Sequence, residues 1–310
     1  MRRLALALLV LLSACATGAT NGDAEASTKD REPPPPLSKP IPAGTLHQAA
    51  AEVEFDDMVE FLAKKDIVYI GESHDQEEHH DIQLRVIEAL HRLGRLDGIG
   101  MEMFERPQQD ALYKYVEGKI GEEEFLEQSA FKERWSDYEH SMPILRFARR
   151  NRVPVIALNV STDVRKKVSE EGMGALPLET RKTLPALYLG DEEHRSRIRA
   201  AYDEMRADHR GEFDAFYRVM CLWDDVMTDT IVKWFRRQPA AAQMVVLAGA
   251  SHIGYRNGIP GRVYRRNGKP YGSLVCLAPE DGGGPEDEVF SRRYADYVWV
   301  TEYVKPAKKQ

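Results

Sequence analysis

The sequence predicts an α/β fold: a mostly parallel central sheet flanked by helices, with a helical insertion lobe. Three observations predict it. Short apolar runs at Ile67 to Ile70, Gly98 to Phe104 and Val153 to Val160 alternate with helical patterns, the order that builds parallel strand-helix-strand units. After the first run, Ile82, Val86, Ala89, Leu90 and Leu93 recur at i, i+4, i+7, i+8 and i+11, one face of a helix running from near Glu77 to Gly94. Finally, 310 residues with 43% apolar content suffice for one large core, or one core with a lobe inserted into it.

At the N-terminus, Arg2 and Arg3 precede an apolar run from Leu4 to Leu12, a signal-peptide pattern too short to span a bilayer. Leu12-Ser13-Ala14-Cys15 resembles the bacterial lipobox, and the resemblance implies that residues 1–14 are removed and that Cys15 is lipidated. Ala16, not Asp, follows the cysteine, which implies an outer-membrane lipoprotein of a Gram-negative bacterium, facing the periplasm or the cell surface. Residues 15–45 are small, polar and proline-rich, with Pro33 to Pro36 in a row. They bury too little to order themselves and read as a tether, leaving 46–310 as the α/β domain. Loss of the leader moves the formal charge from −7 to about −9, a balance that argues against nucleic acid as a partner. Of the cysteines that remain, Cys221 and Cys276 belong to no C-x-x-C and are expected as buried thiols.

Further along, Glu52 to Lys64 reads as a helix leading into the first strand. Glu77 and Glu78 suit the positive end of the next helix, and Gly94 its C-terminal stop. In Gly98 to Phe104, Met101 and Met103 face one side and Glu102 the other, and an acid there needs a partner. Two helical insertions follow, about 107–150 and about 163–236. The second ends in the clearest helix of the chain, Phe213 to Arg236, whose Phe213, Phe216, Met220, Trp223, Met227, Ile231 and Trp234 repeat at three or four, with Asp224 on the same apolar face. Met244 to Ala248 is a further strand, followed by a glycine-rich turn through Gly254, Gly258 and Gly261. Ser273 to Leu277 and Asp296 to Tyr303 close the chain as strands.

Two of these strands end in G-x-S-H: Gly71-Glu72-Ser73-His74 and Gly249-Ala250-Ser251-His252. Each falls one glycine short of the nucleophile elbow, which disfavours a serine hydrolase. No phosphate-binding loop, H-E-x-x-H or dinucleotide fingerprint occurs. Parallel neighbours would bring Glu72, His74, Glu102, Ser251 and His252 to one sheet edge, where ligands bind in open α/β sheets. Imidazoles and carboxylates together could hold a divalent metal or serve a haem. His79 and His80 sit in a helix's first turn, and one of them must point away from that edge. Tyr113, Tyr115, Trp135, Tyr138 and Trp223 would suit a flat apolar ligand, though such residues are more often core, while a tyrosine such as Tyr138 could be an axial haem ligand.

The runs IVYIGESHDQEEHHDIQ, GMEMFERPQQDAL, WSDYEHSMPILRFARRNRVPVIALNV, WDDVMTDTI, VVLAGASHIGYRNGIPGRV and ADYVWVTEY, in collinear order over about residues 50–303, resemble the ChaN-like haem-binding lipoproteins. Those fall in the broader Tiki/TraB and erythromycin-esterase-like group. The resemblance implies a mixed α/β core with helical insertions and a role in haem or iron acquisition. It implies haem held at a homodimer interface by tyrosine and histidine, and a haem or iron uptake receptor as partner. The cofactor-binding candidates are then His74, His252, Glu72, Glu102 and Tyr138. The broader group implies the alternative, a metal-dependent hydrolase, peptidase- or esterase-like, in which Glu72, His74 and His252 bind the metal and Glu102 is the general base.

Overall fold

The computed structural model describes residues 45–48, 51–204, 212–279, 287–291 and 293–305. The leader, Cys15 and the tether up to residue 44 lie outside them. Eight strands form one sheet: β1 (Thr45–Gln48), β2 (Ala51–Glu52), β3 (Ile67–Glu72), β4 (Gly98–Glu105), β5 (Val155–Asn159), β6 (Met244–Gly249), β7 (Tyr271–Leu277) and β8 (Tyr297–Val300). Their order is β2-β1-β8-β7-β3-β6-β4-β5. β3 to β8 pair parallel with one another, and only the short β1–β2 hairpin adds antiparallel contacts at one edge. The hairpin was not legible: Glu52, expected to open a helix, pairs instead with His47, and Ala51 with Gln48.

Helices cover both faces. α1 (Phe55–Ala63), α2 (Glu77–Arg92), α3 (Gln109–Val116), α4 (Glu122–Ser129), α5 (Phe131–Arg134) and α6 (Tyr138–Asn151) belong with one face. α7 (Thr162–Glu171), α8 (Leu178–Thr183), α9 (Glu192–Glu204) and α10 (Phe213–Phe235) form the second insertion, followed by α11 (Ala250–Ile253) and α12 (Ile259–Asn267). β3 shows how the faces separate. Val68 and Ile70 join the cluster under α2, whereas Ile67 and Tyr69 join the one under α10 and α12, as the two-residue period of a strand requires. Met101 and Met103 share the α2 side as expected. Each such fully buried side chain contributes about 1.5–3 kcal/mol. The helix α10 serves two purposes: Met227, Ile231, Val232 and Phe235 pack on the sheet, while Phe213, Phe216, Tyr217 and Met220 build a core with α9. Cys221 and Cys276 are both free and buried.

The stretch through Gly254, Gly258 and Gly261 is not a turn. It is largely helical, with Pro260 in the first turn of α12. Here glycine permits close backbone approach: a Cβ on Gly258 would stand 2.2 Å from the carbonyl oxygen of His252, and one on Gly261 2.4 Å from that of Arg256. The chain is thereby folded tightly behind the second G-x-S-H.

Candidate functional site

β3 and β6 are neighbours in register, so that Glu72 lies opposite Gly249 and both G-x-S-H turns leave the same edge of the sheet. β4 adds Glu102 beside them. The sequence-predicted constellation is therefore assembled, but its two halves differ.

In the first half, Glu72 is fully buried and holds two imidazoles. Its Oε1 is 2.7 Å from His74 Nδ1 and its Oε2 is 3.0 Å from His80 Nε2. Gln83 also donates to Oε2, at 3.1 Å. Burial would raise the Glu72 pKa, but His80 and His74 together lower it, keeping the carboxylate charged. His79 does point elsewhere: its Nδ1 accepts from Ser73 N at 2.9 Å, and its Nε2 lies 2.9 Å from Thr301 Oγ1. Burial lowers its pKa to about 4, so it is a neutral brace for the turn. His74 stands at the surface of this half, its side chain 37% exposed, its ring edge-on to Trp135 at 4.8 Å. Burial lowers and the Glu72 hydrogen bond raises its pKa, with a net upward shift. Trp135 Nε1 is buried with no hydrogen-bond partner. Tyr138 stands one turn on, packed against Phe131 at 6.0 Å with its hydroxyl donating to Glu139.

The second half is closed. His252 is 4% exposed in its side chain, with Nδ1 2.7 Å from Asp224 Oδ1 and Nε2 3.4 Å from Glu102 Oε1. Burial would lower its pKa, but the Glu102 and Asp224 carboxylates outweigh that and lift it to about 10. His252 is thus an imidazolium with both N–H groups engaged. Burial pushes the other way on Glu102, yet His252 holds it down at about 2, and Gly249 N donates to its Oε2 at 2.7 Å. Asp224 stays well below the usual carboxylate range against its own burial, through His194, His252 and Arg262. His194 Nε2 lies 3.2 Å and Arg262 Nε 3.6 Å from Asp224 Oδ2. Arg262 also donates to Asp225, at 2.7 Å.

Sequence reasoning did not single out His194, Arg262, Gln83 or His140, whose ring lies 5.5 Å from that of His80. Only an acid on an apolar helix face, Asp224, signalled that cations would gather there. Among the described residues no group of three or more His, Cys, Asp or Glu side chains is arranged to hold a metal ion. A haem is different, since it needs one axial donor and partners for its carboxylates. His74 offers the first: its Nδ1 is fixed on a carboxylate, the arrangement that orients a metal-ligating imidazole, and its Nε2 has no hydrogen-bond partner among the described residues.

Residues 58–263 match the family model described as haem-binding uptake, Tiki superfamily, ChaN. The structure of ChaN of Campylobacter jejuni, with cofacial haem binding, superposes with a TM-score of 0.62 at 19% identity, covering 82% of this chain and 95% of that one. Protein RETICULATA-RELATED 5, chloroplastic, of Arabidopsis thaliana is 25% identical over 268 residues, 78% of this chain, and the chain spans 35% of that relative's length. An erythromycin esterase, in its open conformation, gives a TM-score of 0.42 at 12% identity, too slight a likeness to carry an argument.

Proposed function

The chain belongs to the ChaN family of haem-binding uptake proteins in the Tiki superfamily, and from that premise we propose that it is a membrane-tethered haem-binding protein of haem and iron acquisition. The observation that carries the reading is the half-exposed His74, set on Glu72 with Nε2 unpartnered beside Trp135. Bound haem would supply an iron centre able to take an axial nitrogen. His74 would hold that iron through Nε2, and Glu72 keeps the proton on Nδ1 and the ring oriented. The Glu102–His252–Asp224 chain fixes the floor of the site and is not itself a ligand set, because both His252 nitrogens are engaged. The lipobox-like Leu12-Ser13-Ala14-Cys15 and the proline-rich run after it support lipidation at Cys15 and a place at the outer membrane. The cofacial haem of the Campylobacter protein supports a homodimer as the binding unit, and the uptake role supports a haem or iron receptor as partner.

The metal-dependent hydrolase alternative lacks comparable support. Glu72 and Glu102 are each committed to imidazoles, and the described residues contain no three-ligand group. Haemin titration of the full chain, followed at the Soret band with His74→Ala alongside, tests the reading. Saturable binding with a defined stoichiometry, weakened and spectrally shifted in His74→Ala, is the expected result. Binding that is nonsaturable, or indifferent to His74, would overturn the assignment.

A further inference from the structure

Helix α6 links the haem site to a second, unrelated feature. Its N-terminal residue Tyr138 is near the sheet edge described above, and its C-terminal turn lies about 18 Å away at the opposite edge. There a cleft of about 550 Å³ opens between α3, α4 and α6, lined by Tyr115, Arg146, Arg149, Arg150 and Arg152, with Glu117 and Glu122 as its acids. Four arginines against two acids is notable in a chain whose formal charge is −7. Part of this is structural. Arg146 is held by Glu122 through two hydrogen bonds of 2.9 and 2.6 Å. Arg149 donates to Ile120 O and lies 4.7 Å over the Tyr115 ring, and both Arg149 and Arg150 suit the negative end of the α6 dipole.

Those roles leave Arg152 unexplained. It caps α6 in the left-handed region at φ 53°, where glycine would be unstrained, and it has no ion pair among the described residues. Arg150 has none either, its guanidinium lying 6.0 Å over Phe147. An arginine at a left-handed position, beside further guanidinium groups with donors to spare, is suited to a tetrahedral oxyanion, which accepts charge-assisted bonds from several forks at once. The geometry points to this cleft as a binding site for a phosphate group, carried by a soluble phosphorylated compound or by an anionic lipid headgroup.

The test uses the full chain with Cys15→Ser, so that no acyl chain contributes to vesicle binding. Inorganic pyrophosphate is titrated calorimetrically, and co-sedimentation with phosphatidylglycerol vesicles is compared with phosphatidylcholine vesicles. Arg150→Gln/Arg152→Gly is set against Arg236→Gln/Arg237→Gln, an equal loss of charge from exposed residues beyond α10. The expected result is saturable binding, weakened about tenfold in the first variant and unchanged in the second. Pyrophosphate binding identifies a soluble phosphate source, and binding confined to phosphatidylglycerol identifies a lipid. Arg152→Gly alone should raise the melting temperature by relieving the left-handed cap, which separates lost binding from lost folding. No saturable binding in either arm, or equal loss in both double variants, would overturn the proposal.

Discussion

The two G-x-S-H turns leave neighbouring strands at the same level, yet His74 is 37% exposed with one carboxylate while His252 is 4% exposed between two. The same four-residue pattern thus yields an available imidazole in one place and a locked imidazolium in the other. What differs is what covers them. α9 and α10 lie over the second turn and bring His194 and Asp224 to it. Over the first, the edge of Trp135 meets an imidazole that stays 37% exposed. A motif fixes which atoms reach the rim; burial and counter-charge decide what they do there.

The largest expected effect comes from opening the closed half. Asp224→Ala removes the buried carboxylate that His252, His194 and Arg262 share and should cost about 3–5 kcal/mol of stability, read from urea unfolding. A loss within about 0.5 kcal/mol would mean that water compensates the cluster and that the two halves are not so different. Next in size is the pH dependence of His252→Gln. The folded pKa of His252 is raised from 6.5 to about 10, so its stabilisation is complete below pH 6.5 and lost as the pH rises toward about 10. Glu102 is lowered from 4.5 to about 2, so its contribution is complete above pH 4.5 and lost as the pH falls toward about 2. The stability gap between wild type and His252→Gln should therefore peak between those unfolded values, 4.5 and 6.5, and shrink on either side. A gap that stays level up to about pH 10 would show that His252 is not an imidazolium. In the open half, His74→Ala should change stability by about 1 kcal/mol or less, because its ion pair is partly solvated, while removing most haem affinity. Unfolding and haemin titration on one preparation separate the two effects.

This contrast also marks how much was legible beforehand. The strands and helices around both turns were, because Ile67 to Ile70, Met244 to Ala248, α2 and α10 announce themselves by apolar period, and parallel pairing then places Glu72, His74, Glu102 and His252 on one edge. The contacts that set burial were not. His194 lies in a charged stretch of low periodicity, and its approach to Asp224 follows only from how α9 docks on α10. Arg262 directly follows what read as a glycine-rich turn, where the glycines in fact allow α12 to close behind His252. The β1–β2 hairpin was too short to show any period.

The smallest expected effect is the most discriminating. Gly249 stands where the two halves touch: a Cβ there would lie 3.2 Å from His74 Cε1 and 3.7 Å from Glu102 Oε2. Its φ of −54° and ψ of 143° suit alanine, so Gly249→Ala introduces no backbone strain and should leave the melting temperature nearly unchanged. The added methyl is tighter against the His74 ring than an ordinary contact, and the ring, held among the described residues by Glu72 and Trp135, is the partner free to yield. A displacement of a few tenths of an ångström at Nε2 should lower haem affinity about three- to tenfold. If instead stability falls and haem binding is preserved, the yielding partner is the Glu102–Gly249 hydrogen bond, and the closed half is less rigid than its ion pairs imply.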